Sequence, residues 1–318
     1  MNYFETYKDL PDYARDCVVV IGNFDGVHLG HQALLERACL IAKEKGKKVA
    51  ALTFEPHPRQ LFRADEPFRR ITPAPLKKER LLHYGADIIF SLPFDWDFAS
   101  QPPEQFAQDI LINALAASHV VIGHDFRFGQ LRQGKAQTIK DAGIPVNVVD
   151  EIIGHGDIEE ISSSCIRQLL QDGKIEQANT LLGWAWEIRS KIIKGDQRGR
   201  QLGYPTANME LGETIHPAYG VYACCARLSN ETHWRDGVAN IGIRPMFEVK
   251  TALVETYIFD FNQEIYGRTV CVQPVKRLRG EAKFDSLDTL IAQIEKDCAQ
   301  AKEILMSSKN QDTNFKGE

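Results

Sequence analysis

Val18-Val19-Val20-Ile21 is a continuous β-branched run that stops at Gly22-Asn23-Phe24-Asp25-Gly26, and Leu29, Ala33 and Leu34 then take up helical spacing. This stretch constrains the chain more than any other. A strand that is apolar at every position reads as a buried one. The order is strand, glycine turn, helix. His28 and His31 are three residues apart at the start of the helix, so they share one face beside unpaired N–H groups and the positive dipole end, where phosphate binds favourably. Gly30 between them has no side chain to hold a nucleotide off the first turn.

The same texture continues downstream. Strands are predicted at Val49 to Phe54, Ile88 to Leu92, Val120 to Ile122 and Val146 to Val149, with helices from His31, Leu76, Pro103 and Thr138 between them. The expected architecture is α/β, a doubly wound parallel sheet. Ligands of such sheets lie outside the carboxyl ends of the strands, where Gly22 to His31, Glu55-Pro56-His57-Pro58 and Gly123 to Gly129 all fall. Ile161 and the hydroxyls of Ser162 to Ser164 lead into another helix start, and a helix from Ile175 to Leu182 closes this half.

After Gly183 the pattern changes to short strands: Trp186 to Ile193, Val221 to Leu228, Val238 to Ile243, Leu253 to Phe261 and Val270 to Leu278 suggest a small β-barrel. One amphipathic helix follows, with Leu287, Leu290, Ile291, Ile294, Cys298, Ala301 and Leu305 on its apolar face. The expected division is residues 1–183, residues 184–306 and an unstructured tail over 307–318. A chain of 318 residues is long enough for two cores.

The net charge of −5 and the scattered basic residues argue against nucleic acid as a partner. No apolar run reaches membrane-spanning length, so no membrane partner is expected. The seven cysteines form no C-x-x-C pair and suggest reduced thiols, and with no leader-like pattern at the start a cytoplasmic enzyme is expected.

Two histidines at helical spacing, with His57 as a third, are also compatible with zinc, or with plain helix capping. The nucleotide reading draws its weight from the strand, the glycine turn, the paired histidines and Ser-Ser-Ser-x-Ile-Arg occurring together. Within Leu253 to Phe261, alternation puts Glu255 on one face with Tyr257, Phe259 and Phe261. That face is either a wet exterior or a cleft in which Glu255 meets a substrate.

His28-Leu29-Gly30-His31 and Ile161-Ser162-Ser163-Ser164-Cys165-Ile166-Arg167 resemble the H-x-G-H and I-S-S-T-x-I-R pair of nucleotidylyltransferases. Gly22 to Gly26 and Gly123-His124-Asp125-Phe126-Arg127-Phe128-Gly129 narrow the resemblance to the bifunctional bacterial riboflavin kinase/FMN adenylyltransferase family. Gly195 to Asn208 is similar to the riboflavin kinase string G-x-x-x-G-R-x-L-G-[FY]-P-T-A-N. The resemblance runs from about Val18 to Leu305.

It implies that riboflavin is phosphorylated to FMN and FMN adenylylated to FAD, with ATP as co-substrate and Mg2+ as cofactor. His28, His31 and Arg167 would be catalytic on the nucleotide side, with Gly22, Phe24, Asp25, Gly30, Ser163 and Ser164 binding nucleotide. Asp125 would lie at the flavin or nucleotide cleft. In the kinase half Glu255 would be the base, Thr206 and Asn208 the Mg2+ ligands, Gly195, Arg200 and Gly203 nucleotide contacts, and Arg279 a flavin contact. Departures from the family pattern include Met246 in place of Thr, Ser190 in place of Gly and Lys135 in place of Asp.

Overall fold

The computed structural model describes residues 2–66, 68–152, 160–195, 199, 202–246 and 249–314. The chain divides into two compact units, Met1–Ser163 and Ser164–Glu318.

The first unit is built on a six-stranded parallel sheet ordered β1-β4-β3-β2-β5-β6. Its strands are β1 (Tyr3–Phe4), β2 (Val18–Ile21), β3 (Val49–Glu55), β4 (Ile88–Pro93), β5 (His119–Gly123) and β6 (Val146–Val149). The helices between them are α1 (Leu29–Lys45), α2 (Pro58–Phe62), α3 (Ala74–His83), α4 (Trp96–Ala99), α5 (Pro103–Gln105, continued by a π-helix over Phe106–Ala114) and α6 (Ala136–Asp141). Alternate residues of each strand feed two separate cores. Val19, Ile21, Leu52 and Phe90 pack under Phe106, Ile110, Leu111 and Ile139, while Val18, Val20, Ala51 and Ile89 pack under Leu35, Ala38, Ile41 and Leu81. This two-sided burial is why β2 is apolar at every position and carries no alternation. The short edge strand β1 has no run long enough to be read from sequence.

Strand order reverses at β2, which has β3 on one side and β5 on the other. The chain leaves these two neighbouring strands in opposite directions, and a crevice opens at their carboxyl ends. Gly22 and Gly123 both emerge there.

Helix α7 (Ser163–Gln171) starts on the last residue of the first unit, and its remainder and α8 (Ile175–Leu182) open the second. Its antiparallel sheet is ordered β7-β12-β9-β10-β11-β8. The strands are β7 (Ile188–Lys191), β8 (Ala207–Glu210), β9 (Gly220–Leu228), β10 (Arg235–Met246), β11 (Val249–Ile258) and β12 (Thr269–Arg279). A bridge from Ile193 to Asn208 joins the two edges and closes the barrel. The barrel interior is sealed by Trp186, Tyr222 and Val254. Helix α9 (Leu287–Asn314) covers part of the outside, where Ala301 and Leu305 meet Ala223 and Phe259. It runs through Ser307, the expected start of the tail.

Two features differ from the sequence expectation. Strand β8 lies inside the glycine-rich string, which reads as a loop because only Ala207–Glu210 extends, after Pro205. Strand β11 ends at Ile258, and Asp260 has φ +52°, so the alternation that was to carry Phe261 onto the face of Glu255 is broken. Phe261 lies instead under the guanidinium of Arg235, 5.1 Å from it.

Candidate active sites

The first site grows from the turn after β2. Phe24 is fully buried with φ +53°, a conformation unusual for a phenylalanine, and Gly22 makes room for it: a Cβ at Gly22 would stand 3.1 Å from its ring. Phe24 in turn meets His31 edge-on, with ring centroids 5.2 Å apart. His28 occupies the N-cap position of α1 yet makes no capping hydrogen bond, so the helix-cap reading does not account for it. The two imidazoles stack on each other at 3.7 Å, and the Nδ1 atoms of both are buried without a partner. A Cβ on Gly30 would come within 3.2 Å of the His28 ring, so the glycine is required by the histidine as well as by a ligand.

Burial holds His28 near a pKa of about 4. His31 is pushed well below its ordinary value by burial first, then by His28 and by Lys77. Two neutral imidazoles therefore face the crevice at neutral pH. Each can donate one N–H and can take up a proton if a polyanion arrives.

Asp25 serves the turn itself. Its Oδ1 accepts from the amides of Ile71 (3.0 Å) and Thr72 (3.2 Å), while Gly26 N–H donates to Thr72 Oγ1 (2.8 Å). Ser163 Oγ donates to the Asp25 carbonyl at 2.7 Å, tying the start of the Ser-Ser-x-Ile-Arg segment to the same turn. Beneath lies an ion network that sequence reading did not single out. Lys77, only 4% exposed, reaches Glu55 at 2.6 Å, Thr53 Oγ1 at 3.1 Å and the Asn23 carbonyl at 3.4 Å, and Glu55 also pairs with Arg70. The available signal was Glu55 itself, a carboxylate ending an otherwise apolar strand.

His57 caps α2 by accepting from the Arg59 amide and stacks on Phe68 at 4.4 Å. Among the described residues no group of three or more His, Cys, Asp or Glu is placed to hold a metal, which removes support from the zinc alternative. Asp125 is exposed in the turn after β5, and its Oδ1 stands 3.3 Å from where a Cβ on Gly123 would be. In the second unit, Ser164 is exposed on the first turn of α7 and Arg167 is half-buried three residues on.

The second site lies on the outer face of the barrel. Antiparallel register sets Asn208, Glu255 and Asn240 directly opposite one another on β8, β11 and β10. Directly opposed residues point to the same side, with Cβ atoms roughly 5 Å apart. Glu255 is half-buried and has no ion-pair or hydrogen-bond partner among the described residues. Asn208 donates through Nδ2 to the carbonyl (3.1 Å) and Oγ1 (3.3 Å) of Thr206, while its Oδ1 is buried and unpartnered. A buried amide oxygen without a donor is costly unless something electropositive meets it. The Thr206 hydroxyl stands 3.3 Å from the Nδ2 of the same carboxamide, and the two residues carry hard oxygens of the kind magnesium takes near phosphates.

Gly195 packs against this amide, its Cβ position 2.8 Å from Asn208, and Gly203 turns with φ +83°. Arg200 lies outside the described residues. Further along β11 a cavity of about 300 Å³ is lined by Tyr204, Tyr257, Phe259, Cys298 and Lys302, the last two from α9. Sequence alternation found Tyr257 and Phe259 but not the helix that roofs them. Arg279 is committed elsewhere: it holds Asp297 of α9 through Nη2 at 2.8 Å and Nε at 3.0 Å.

Residues 10–165 match the family model described as FAD synthetase, and residues 182–305 that described as riboflavin kinase. Over 294 residues the chain is 40% identical to the bifunctional riboflavin kinase/FMN adenylyltransferase of Bacillus subtilis (strain 168), covering 89% of this chain and 91% of the relative. It is 36% identical over 290 residues to the protein of that name from Escherichia coli (strain K12), covering 90% and 92%. A crystal structure described as a macrolide-efflux protein from Streptococcus pneumoniae is similar with a TM-score of 0.83 and 33% identity, over 93% of this chain and 96% of that one. Among the described residues no helix is long and apolar enough to cross a membrane.

Proposed function

The chain belongs to the bifunctional riboflavin kinase/FMN adenylyltransferase family, and from that premise we infer that it runs two ATP-dependent steps on one polypeptide. Riboflavin is phosphorylated to FMN, and FMN is adenylylated to FAD with release of pyrophosphate. We assign the adenylyltransferase to residues 1–183 and the kinase to residues 184–306. No disulfide is formed among the described residues, which supports a reducing compartment, the cytoplasm.

For adenylyl transfer, an FMN phosphate oxygen attacks the ATP α-phosphate as the bond to the β-phosphate breaks. No protein nucleophile or base is required, so the protein's contribution is alignment and stabilisation of the charge that develops. His28 and His31 suit that task because they are stacked, neutral and set beside the N–H groups opening α1. Phe24 and Gly22 hold His31, Gly30 keeps the approach clear, and Asp25 braces the turn. Family resemblance supports Ser163, Ser164 and Arg167 as contacts to nucleotide phosphates and Asp125 as a group at the cleft.

For phosphorylation, the riboflavin 5′-hydroxyl attacks the ATP γ-phosphate and gives its proton to Glu255, and ADP leaves. Thr206 and Asn208 would hold Mg2+, which when bound neutralises charge on the transferring phosphates. The cavity over Tyr257 and Phe259 fits the flavin ring by size and by its aromatic lining.

The single observation that carries the kinase reading is the register that sets Glu255, with no partner among the described residues, opposite Asn208, whose amide oxygen is buried and unpartnered. Purified protein incubated with riboflavin, ATP and Mg2+ should yield FMN first and FAD later, resolved by chromatography. Riboflavin left untouched while added FMN becomes FAD would overturn the kinase half, and Met246 would be the first residue to revert to Thr.

A further inference from the structure

Asn240 is the third member of the row across β8, β11 and β10, and no role has been assigned to it so far. It sits opposite Glu255 on the side away from Asn208. It is half-buried, and its carboxamide makes no hydrogen bond among the described residues. Asparagine is disfavoured in strand interiors, because it packs poorly on a pleated surface. Besides Glu255, its neighbours on the same face include the apolar Val221 opposite it on β9, and Val238 and Tyr257 of the patch covered by α9. Gly242, the next residue of β10 on that face, is buried beneath the Glu281 carboxylate, which takes the space a side chain there would fill. A polar side chain with no hydrogen bond among the described residues, its Cβ held by sheet register roughly 5 Å from the Cβ of Glu255, is placed to meet substrate.

We propose that Asn240 binds the polyol chain of riboflavin, fixing the hydroxyl next to the reacting one so that the terminal hydroxyl is presented to Glu255. This rests on the kinase reading above. A ring seated over Tyr257 and Phe259 sends its side chain along β11 toward Glu255, with Asn208 on one flank and Asn240 on the other. The flank with Asn208 and Thr206 takes phosphate, which leaves Asn240 for the secondary hydroxyls. A hydroxyl both donates and accepts, and among uncharged side chains a carboxamide is one that can answer both. Asn240 is thus a substrate-positioning residue: it takes no proton and forms no bond to phosphorus.

The test compares two substrates on the full chain: riboflavin, and a flavin whose N10 chain is an alkyl of equal length bearing only the terminal hydroxyl. With riboflavin, Asn240→Ala should lower kcat/KM about tenfold to a hundredfold, the range of a lost hydrogen bond in a desolvated site, with KM for ATP unchanged. With the alkyl-chain flavin the same substitution should cost less than about twofold, because the partner hydroxyls are already gone. Asn240→Ser, which keeps a hydroxyl, should fall between, and equal melting temperatures show that all variants fold.

Equal losses with both flavins would overturn the proposal, because Asn240 would then act on Glu255 or on the sheet. No loss with riboflavin would overturn it as well. If the unaltered chain phosphorylates neither flavin, the kinase reading itself fails, and this proposal with it.

Discussion

His28 and His31 stack face to face with ring centroids 3.7 Å apart at the first turn of α1, where the β2 turn delivers the chain to the crevice. The pair acts as one donor surface, because removing either ring takes away the packing that orients the other. His31→Ala should therefore lower FAD formation from FMN about a hundredfold or more, the usual cost of a lost charge-stabilising donor, while riboflavin phosphorylation continues. Chromatography of the two reactions separates them. Loss of both activities, or of neither, would contradict the assignment.

Acid should loosen the first unit before it loosens the second. The His28 pKa is about 4 in the folded chain against an ordinary 6.5, so between these values the unfolded state binds more protons and stability falls as pH falls. The full window amounts to about 3 kcal/mol, and His31 adds in the same direction. Urea titrations from pH 7 to pH 4 should show this slope for the first transition. His28→Phe should flatten it, whereas an unchanged slope would mean that the ring is not sealed in solution.

Glu255→Gln should cut riboflavin phosphorylation by about a hundredfold to ten-thousandfold, the span of a removed general base, and leave FMN adenylylation running. Asn208→Leu should instead raise the Mg2+ concentration needed for half-maximal phosphorylation, because it removes the buried Oδ1 that has no protein donor. A Glu255→Gln variant that phosphorylates riboflavin at the native rate would exclude it as the base.

Much of this was legible in the residues. Val18 to Ile21, Gly22 to Gly26 and the paired histidines announced a strand, a turn and a helix start because each is local chemistry. The register that joins Asn208, Glu255 and Asn240 was not, since cross-strand partners are set by how the strands pair and lie some fifteen residues or more apart in sequence. The Lys77, Glu55 and Arg70 network was missed for the same reason: α3, β3 and the segment before α3 meet only once the sheet forms. Arg279 has a partner of the same long-range kind, Asp297 of α9, which its motif did not announce.

Lys77 links that network to catalysis. Its ammonium holds the Asn23 carbonyl inside the nucleotide turn, and Glu55 offsets much of the cost of burying it. Lys77→Met leaves Glu55 to Arg70 alone and should destabilise the first unit by about 3 kcal/mol, as removal of one member of a buried pair does. FAD formation should fall more than this instability explains, because the turn is released. A KM for ATP equal to the native value in the folded fraction would show that the turn holds its shape without Lys77.

Arg279 and Asp297 decide whether α9 stays on the barrel. Asp297 is 3% exposed, and its carboxylate is held by the Arg279 guanidinium through both Nε and Nη2, with Gln293 donating at 2.8 Å. Arg279→Met would leave that carboxylate buried without a counter-charge, at a cost of about 3 kcal/mol. Asp297→Asn removes the charge together with its need for a partner and should cost less. If Arg279 works only by docking α9, both substitutions lower the melting temperature of the second unit, and KM for riboflavin rises in step because Cys298 and Lys302 of α9 line the cavity proposed for the flavin. A direct flavin contact predicts a different pattern: Arg279→Met would raise KM for riboflavin well beyond Asp297→Asn at matched stability. Calorimetry and kinetics on the two variants separate these outcomes.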